Sequence, residues 1–216
     1  MRADSLVCMF GLTTEELRLL RRLNSPRKVQ DFLNTLEQNH EPEGDTCLSP
    51  RRVIREKRAH CIEGAMLAAL AFRLQGQKPL ILDLESAFHD VDHVVALFKQ
   101  HGCWGAVSKT NHAVLRYREP VYRTIRELVL SYFHEYFDKN GFKTLRRYSQ
   151  PVDLSRFDKQ GWMTSEGDVW FVAQYLVDVS HEALLTRSQI ATLRRADSIE
   201  IKIGEIVEWK NGRRVS

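Results

Sequence analysis

The sequence lacks any apolar run approaching the ~20 residues that a membrane-crossing helix needs. Its amino terminus, MRADSLVCMFGLTTEEL, carries only a short apolar patch before turning acidic, so no secretory leader is expected. Cysteine is scarce: Cys8, Cys47, Cys61 and Cys103 are the four, and none has C-x-x-C spacing. Nothing there points to an oxidising compartment, and the cytoplasm is the expected location. Internal repeats and low-complexity segments are absent, as are zinc-finger spacing, RNP-type signatures and stripes of alternating aromatic and basic residues. A net charge of +4 with mixed signs gives no footprint for nucleic acid, so no nucleic-acid partner and no membrane are expected. No cofactor-binding motif stands out, so no cofactor is expected, and the sequence says nothing of oligomeric state. At 216 residues, 43% hydrophobic and 28% charged, the chain suits one domain with a well-buried core.

The most informative stretch runs from Ser49 to Gly76, SPRRVIREKRAHCIEGAMLAALAFRLQG. Ser49-Pro50 reads as an N-cap with proline at the first helical position, where the missing N–H is not needed. From Ile62 the apolar residues Ala65, Met66, Ala69, Leu70 and Leu74 recur at helical spacing, and Gly76 closes the run. A helix beginning at His60 or Cys61 puts the cysteine in its first turn, where unpaired N–H groups and the dipole favour an anion. Such a position lowers the thiol pKa and yields the nucleophilic thiolate. The same residue also fits as a small apolar side chain buried beneath the helix. Five basic residues in eight, Arg51 to Arg58, lie just before Cys61 and could hold a thiolate or an acidic substrate by charge.

Downstream, Gln77–Glu85 (QKPLILDLE) reads as a strand and Phe88–Asp92 as a loop. His93–Lys99 (HVVALFK) and Cys103–Ser108 (CWGAVS) read as further strands joined by a short turn. A cysteine opening an Ala-rich helix, a PLILDL strand, a strand starting Asp92-His93 and a following strand starting with Trp104 together resemble the transglutaminase-like cysteine-hydrolase superfamily. The resemblance spans Ser49 to Asn111. It implies that Cys61 is the nucleophile, that His93 is the general base, and that a third polar residue orients the imidazole. Family members usually carry an aspartate a few residues past the tryptophan; here Ser108 or Lys109 stands there, with Asn111 close behind. An asparagine oxygen can accept the Nδ1–H of histidine, as in Cys-His-Asn sites, so Asn111 is the expected third member with Ser108 behind it. Asn111 also suits a turn ending the strand.

The flanks read as mostly helical. Thr13 with Glu16 forms a capping box before Leu17, Leu20 and Leu23, and Ser25-Pro26 opens a second helix. Pro120 is placed to start a helix through Tyr136, Tyr148–Phe157 reads as an extended connector, and Asp168–Leu185 as a further helix. Short helical patterns follow at Ser188–Arg195, and the Ile199–Val207 tail fits either a strand or a helix. The expected fold is α+β: a papain/transglutaminase-like core, with a Cys-bearing helix packed on a small antiparallel sheet and helical N- and C-terminal flanks. Residues 1–216 form a single domain, with N-terminal helices in 1–48, the core in 49–118 and a mostly helical extension in 119–216. The expected activity is hydrolysis of a peptide or protein amide through a Cys61-His93-(Asn111/Ser108) site, or transamidation by an amine acceptor. Two alternatives remain: a catalytically inactive binding module on the same fold, and a metal-dependent hydrolase using His89, Asp90, Asp92 and His93.

Overall fold

The structure, a computed structural model, describes residues 10 to 210 and 212 to 216. Cys8 and most of the N-terminal segment read above for a leader lie outside the described residues. Capping chemistry opens the first helices where the sequence puts them. The Thr13 hydroxyl accepts the Glu16 N–H while the Glu16 carboxylate accepts the Thr13 N–H, starting α1 (Thr14–Arg22). Ser25 caps α2 (Pro26–Thr35), and Ser49 caps α3 (Pro50–Glu56), each with proline in the first turn. Lys57 then turns left-handed at φ 55°, ending α3 and sending the chain into β2 (Arg58–Ala59), which pairs in parallel with β1 (Glu37–Gln38).

The next element, α4 (Cys61–Leu74), is buried at every residue from Ile62 to Phe72. A helix apolar on all sides must be surrounded, and α1, α2, α3 and the central sheet enclose it. Gly76 follows with φ 84°, the backbone conformation that favours glycine just past a helix end.

The central sheet has seven strands, antiparallel throughout. In chain order they are β3 (Leu80–Ser86), β4 (His93–Gln100), β5 (Cys103–Ser108), β6 (Arg118–Tyr122), β7 (Leu145–Ser149), β8 (Val152–Asp153) and β9 (His181–Ala183). Their spatial order is β6-β5-β4-β3-β7-β9, with β8 also pairing β3. Alternation along the strands sends Ile81, Ala96, Phe98 and Val107 to the core shared with α4. Leu82, Leu84, Val95 and Leu97 go to a second core beneath α5 (Ile125–Phe133). The α+β class therefore holds, and the sheet is larger than the small one expected.

The C-terminal region departs most from the sequence reading. Pro120 lies in β6 rather than opening a helix, and α5 starts later, behind a Thr124–Glu127 capping box. Because β6 is an edge strand, proline's missing N–H interrupts no internal ladder. The expected connector at Tyr148–Phe157 instead completes β7, forms β8 and continues into a 3-10 helix, Leu154–Gln160. The helix expected over 168–185 is confined to α6 (Trp170–Asp178), after which the chain returns to the sheet as β9. Residues 119–216 thus supply most of β6 and all of β7, β8 and β9 to the central sheet, besides their helices, rather than a mostly helical extension. Two short helices, α7 (Arg187–Ala191) and α8 (Ser198–Gly204), and the β10–β11 ribbon (Trp209–Lys210, Arg213–Arg214) complete the chain.

Candidate active site

Three elements bring the expected residues to one end of the sheet. Cys61 is the first residue of α4, His93 the first of β4, and Ser108 the last of β5. In the β4–β5 register Val95 faces Ser108, so His93, two residues earlier on the same face, lies diagonally across from it. The His93 Nε2 and Ser108 Oγ are 2.8 Å apart, and both residues are buried.

The proton on His93 can be placed from its neighbours. Ser108 has one hydroxyl hydrogen, which it donates to the Leu115 carbonyl at 2.6 Å. Toward His93 it can then only accept, so Nε2 carries the hydrogen and Nδ1 keeps its lone pair. Ser108, the second choice for the third position, therefore engages the imidazole. Asn111, the first choice, does not: its carboxamide donates to the Trp209 carbonyl at 2.9 Å and accepts the Trp209 N–H at 2.8 Å. The orienting bond also runs through Nε2 rather than the Nδ1 expected from a Cys-His-Asn pattern.

Cys61 is partly exposed. Burial pushes its thiol up, yet interactions with the His60 and His93 imidazoles outweigh that and bring it down to about 5. His60, the N-cap residue of α4, was not singled out as a partner, although direct adjacency to Cys61 is a signal the sequence carried. Burial pulls its imidazole down, but the thiolate and Glu63 raise it to about 9. Beneath both lies Glu63, 0% exposed, which accepts the His60 and Leu48 N–H groups at 2.9 Å, the Thr46 hydroxyl at 2.8 Å and the Asn39 carboxamide at 3.1 Å. Asp83 of β3 is also near the sulfur; burial raises its carboxyl to about 6, against a 3.0 Å contact with His181.

The basic segment before Cys61 does not serve the thiol. Arg51 binds Glu16, Arg52 binds Glu56 and Asp168, Arg55 binds Glu166, and Arg58 binds Glu56. The residues of the metal alternative also diverge. Asp90 accepts from the Thr144 hydroxyl and Asp92 from the Ser86 N–H, while His89 faces Asp138 at 3.7 Å and His93 faces Ser108. Among the described residues no group of three or more His, Cys, Asp and Glu side chains is arranged to hold a metal ion.

Cys61, His60 and His93 open into a cleft of about 1290 Å³. Gln38, beside Ala59 in the β1–β2 pair, supplies a carboxamide to its wall, and Lys109 another buried polar group. Lys109 donates to the Leu36 carbonyl at 2.9 Å, and burial lowers its ammonium to about 8. The far wall comes from the C-terminal region, where α8 contributes Ile201 and Gly204. The arrangement offers a thiolate nucleophile, an imidazole able to exchange its proton, and room for an extended substrate. No protein-family model matches the chain, and no curated protein matches it significantly.

Proposed function

We propose that the chain is a cysteine hydrolase of the transglutaminase-like kind, acting on a peptide or protein amide. The observation that carries this reading is that Cys61, at the start of α4, opens into the same cleft as His93, an imidazole whose Nε2 is fixed by Ser108. His93 Nδ1 takes the thiol proton, the thiolate attacks the carbonyl carbon, and a thioester forms as the protonated imidazole gives its proton to the leaving amine. Water then releases the acyl group, with His93 as base; an amine in its place gives transamidation. Among the described residues no hydrogen bond occupies the Cys61 N–H, which is thereby free to receive the developing oxyanion. A Cys-bearing helix packed on an antiparallel sheet whose neighbouring strands supply the imidazole and its partner supports the papain/transglutaminase-like core. The described cysteines, Cys47, Cys61 and Cys103, are all free thiols, in keeping with the reducing cytoplasm.

The test is capture of the acyl-enzyme. Incubation with an activated peptide ester and intact-mass measurement is expected to show one acyl adduct on Cys61, lost in Cys61→Ala. Turnover in His93→Ala is expected to fall by roughly 10²–10⁴-fold. A protein that binds the peptide but never acylates would instead be the non-catalytic binding module.

A further inference from the structure

We propose that His60 is a second catalytic imidazole, contacting the Cys61 sulfur and holding the thiolate jointly with His93. This rests on the reading of Cys61 as the nucleophile. The geometry fixes His60 at both ends. Its backbone N–H is held by Glu63 at 2.9 Å, and its ring Nε2 lies 3.0 Å from the Thr46 carbonyl. A carbonyl only accepts, so Nε2 carries a hydrogen and Nδ1 is the nitrogen left for the sulfur. His93 is arranged alike, with Nε2 spent on Ser108. The thiol thus shares one cleft with two imidazoles, one from its own helix cap and one from the sheet.

The roles separate by surroundings. His60 Nε2 is 3.3 Å from Glu63 Oε1 and 3.5 Å from Glu41 Oε1, so two carboxylates favour its imidazolium form. His93 has a neutral hydroxyl at the same position. His60 therefore serves as a standing positive charge, while His93 is the imidazole that exchanges protons. The other charged or titratable neighbours are Asp83 on β3, whose anion opposes the thiolate, Tyr136 after α5, whose phenol burial keeps protonated as it donates to the Val91 carbonyl, and Cys47 in the preceding loop. Burial pushes the Cys47 thiol up to about 12, so it adds no charge.

The test is the pH dependence of iodoacetamide alkylation at Cys61, mapped by peptide mass spectrometry in wild type, His60→Gln and His93→Gln. Glutamine keeps a donor for the Thr46 carbonyl but carries no charge. The wild-type midpoint is expected near 5. In His60→Gln it is expected to rise by more than one pH unit, and in His93→Gln it is expected to stay below the ~8.5 of a free thiol. A His60→Gln midpoint equal to wild type, or a His93→Gln midpoint at ~8.5, overturns the proposal. Should the variants unfold, the ring-nitrogen chemical shifts of His60 in the wild-type protein decide it. Blocking Cys61 with methyl methanethiosulfonate is expected to lower the His60 midpoint, and an unchanged midpoint overturns the proposal. Because these measurements read the thiol and not turnover, they stand apart from the hydrolase assay. An acylating enzyme with an unshifted His60→Gln profile sinks only the role of His60.

Discussion

Cys47 lies near both the buried Glu63 and Cys61, and the two cysteines acquire opposite chemistry. Cys47 is 0% exposed, gives its S–H to the Val169 carbonyl and stays protonated. Cys61 opens into the cleft beside two imidazoles and ionises. Alkylation at pH 7 is therefore expected to modify Cys61 and spare Cys47, and equal modification of both in the native protein would contradict the geometry. The reactive form is lost as pH falls through about 5. The same depression links to stability: the thiolate's contribution is full above the unfolded thiol's ~8.5 and fades as pH falls toward the folded value. Ser108→Ala removes the acceptor that fixes His93 in its Nδ1-basic tautomer. Turnover should drop, by less than in His93→Ala, with the alkylation midpoint moving little. At this scale the positions of Cys61, His93 and Ser108 at the ends of their elements were legible from caps, turns and strand patterns, whereas the roles expected of them came from the resemblance. Asn111 was misassigned because its partner, Trp209, lies 98 residues away, beyond any local pattern.

Among the elements, α4 carries the tightest constraints. A Cβ on Gly64 would come within 2.5 Å of the Lys109 Cβ, so the close approach of α4 to the end of β5 requires glycine there. Gly64→Ala is expected to destabilise the fold by about 1–3 kcal/mol, read as a lower denaturation midpoint. Glu63→Ala should do more, roughly 3–5 kcal/mol, because it strands several buried donors from the 39–48 loop and the helix cap. Its thermal unfolding, compared with that of Glu63→Gln, measures this. Helices α1 to α4 and strands β3 to β5 were legible because caps, turn residues and period are local signals. Strands β7, β8 and β9 were not. Tyr148, Val152 and His181 take their places through pairing with strands distant in sequence, and the short run His181–Ala183 has no alternation to read. Pro120 misled because a helix start and an edge strand tolerate the same missing N–H.

Over the whole molecule, charge is unevenly shared. The chain carries +4, yet the cleft is lined by six carboxylates against two lysines. Several of those carboxylates have partners, Glu135 with Arg118 at 2.7 Å among them, but the balance inside the cleft remains negative. A cationic methanethiosulfonate is expected to modify Cys61 faster than an anionic one of equal size, with the ratio shrinking as salt rises. A ratio of one at low salt would mean that the carboxylates do not act on incoming molecules. Phe88, fully exposed, and Phe142, partly so, both lie against His89, and nothing local in the sequence pairs them. Only the return of the chain through 137–143 brings Phe142 beside His89.

The pairing of Asn111 with Trp209, together with the Ala113 N–H on the Ile206 carbonyl and the Glu208 N–H on the Asn111 carbonyl, fastens the last segment of the fold across the groove. During vectorial synthesis the sulfur and its imidazole emerge well before that segment exists. A nascent chain therefore carries Cys61 and His93 before it has the wall to which Ile201 and Gly204 belong.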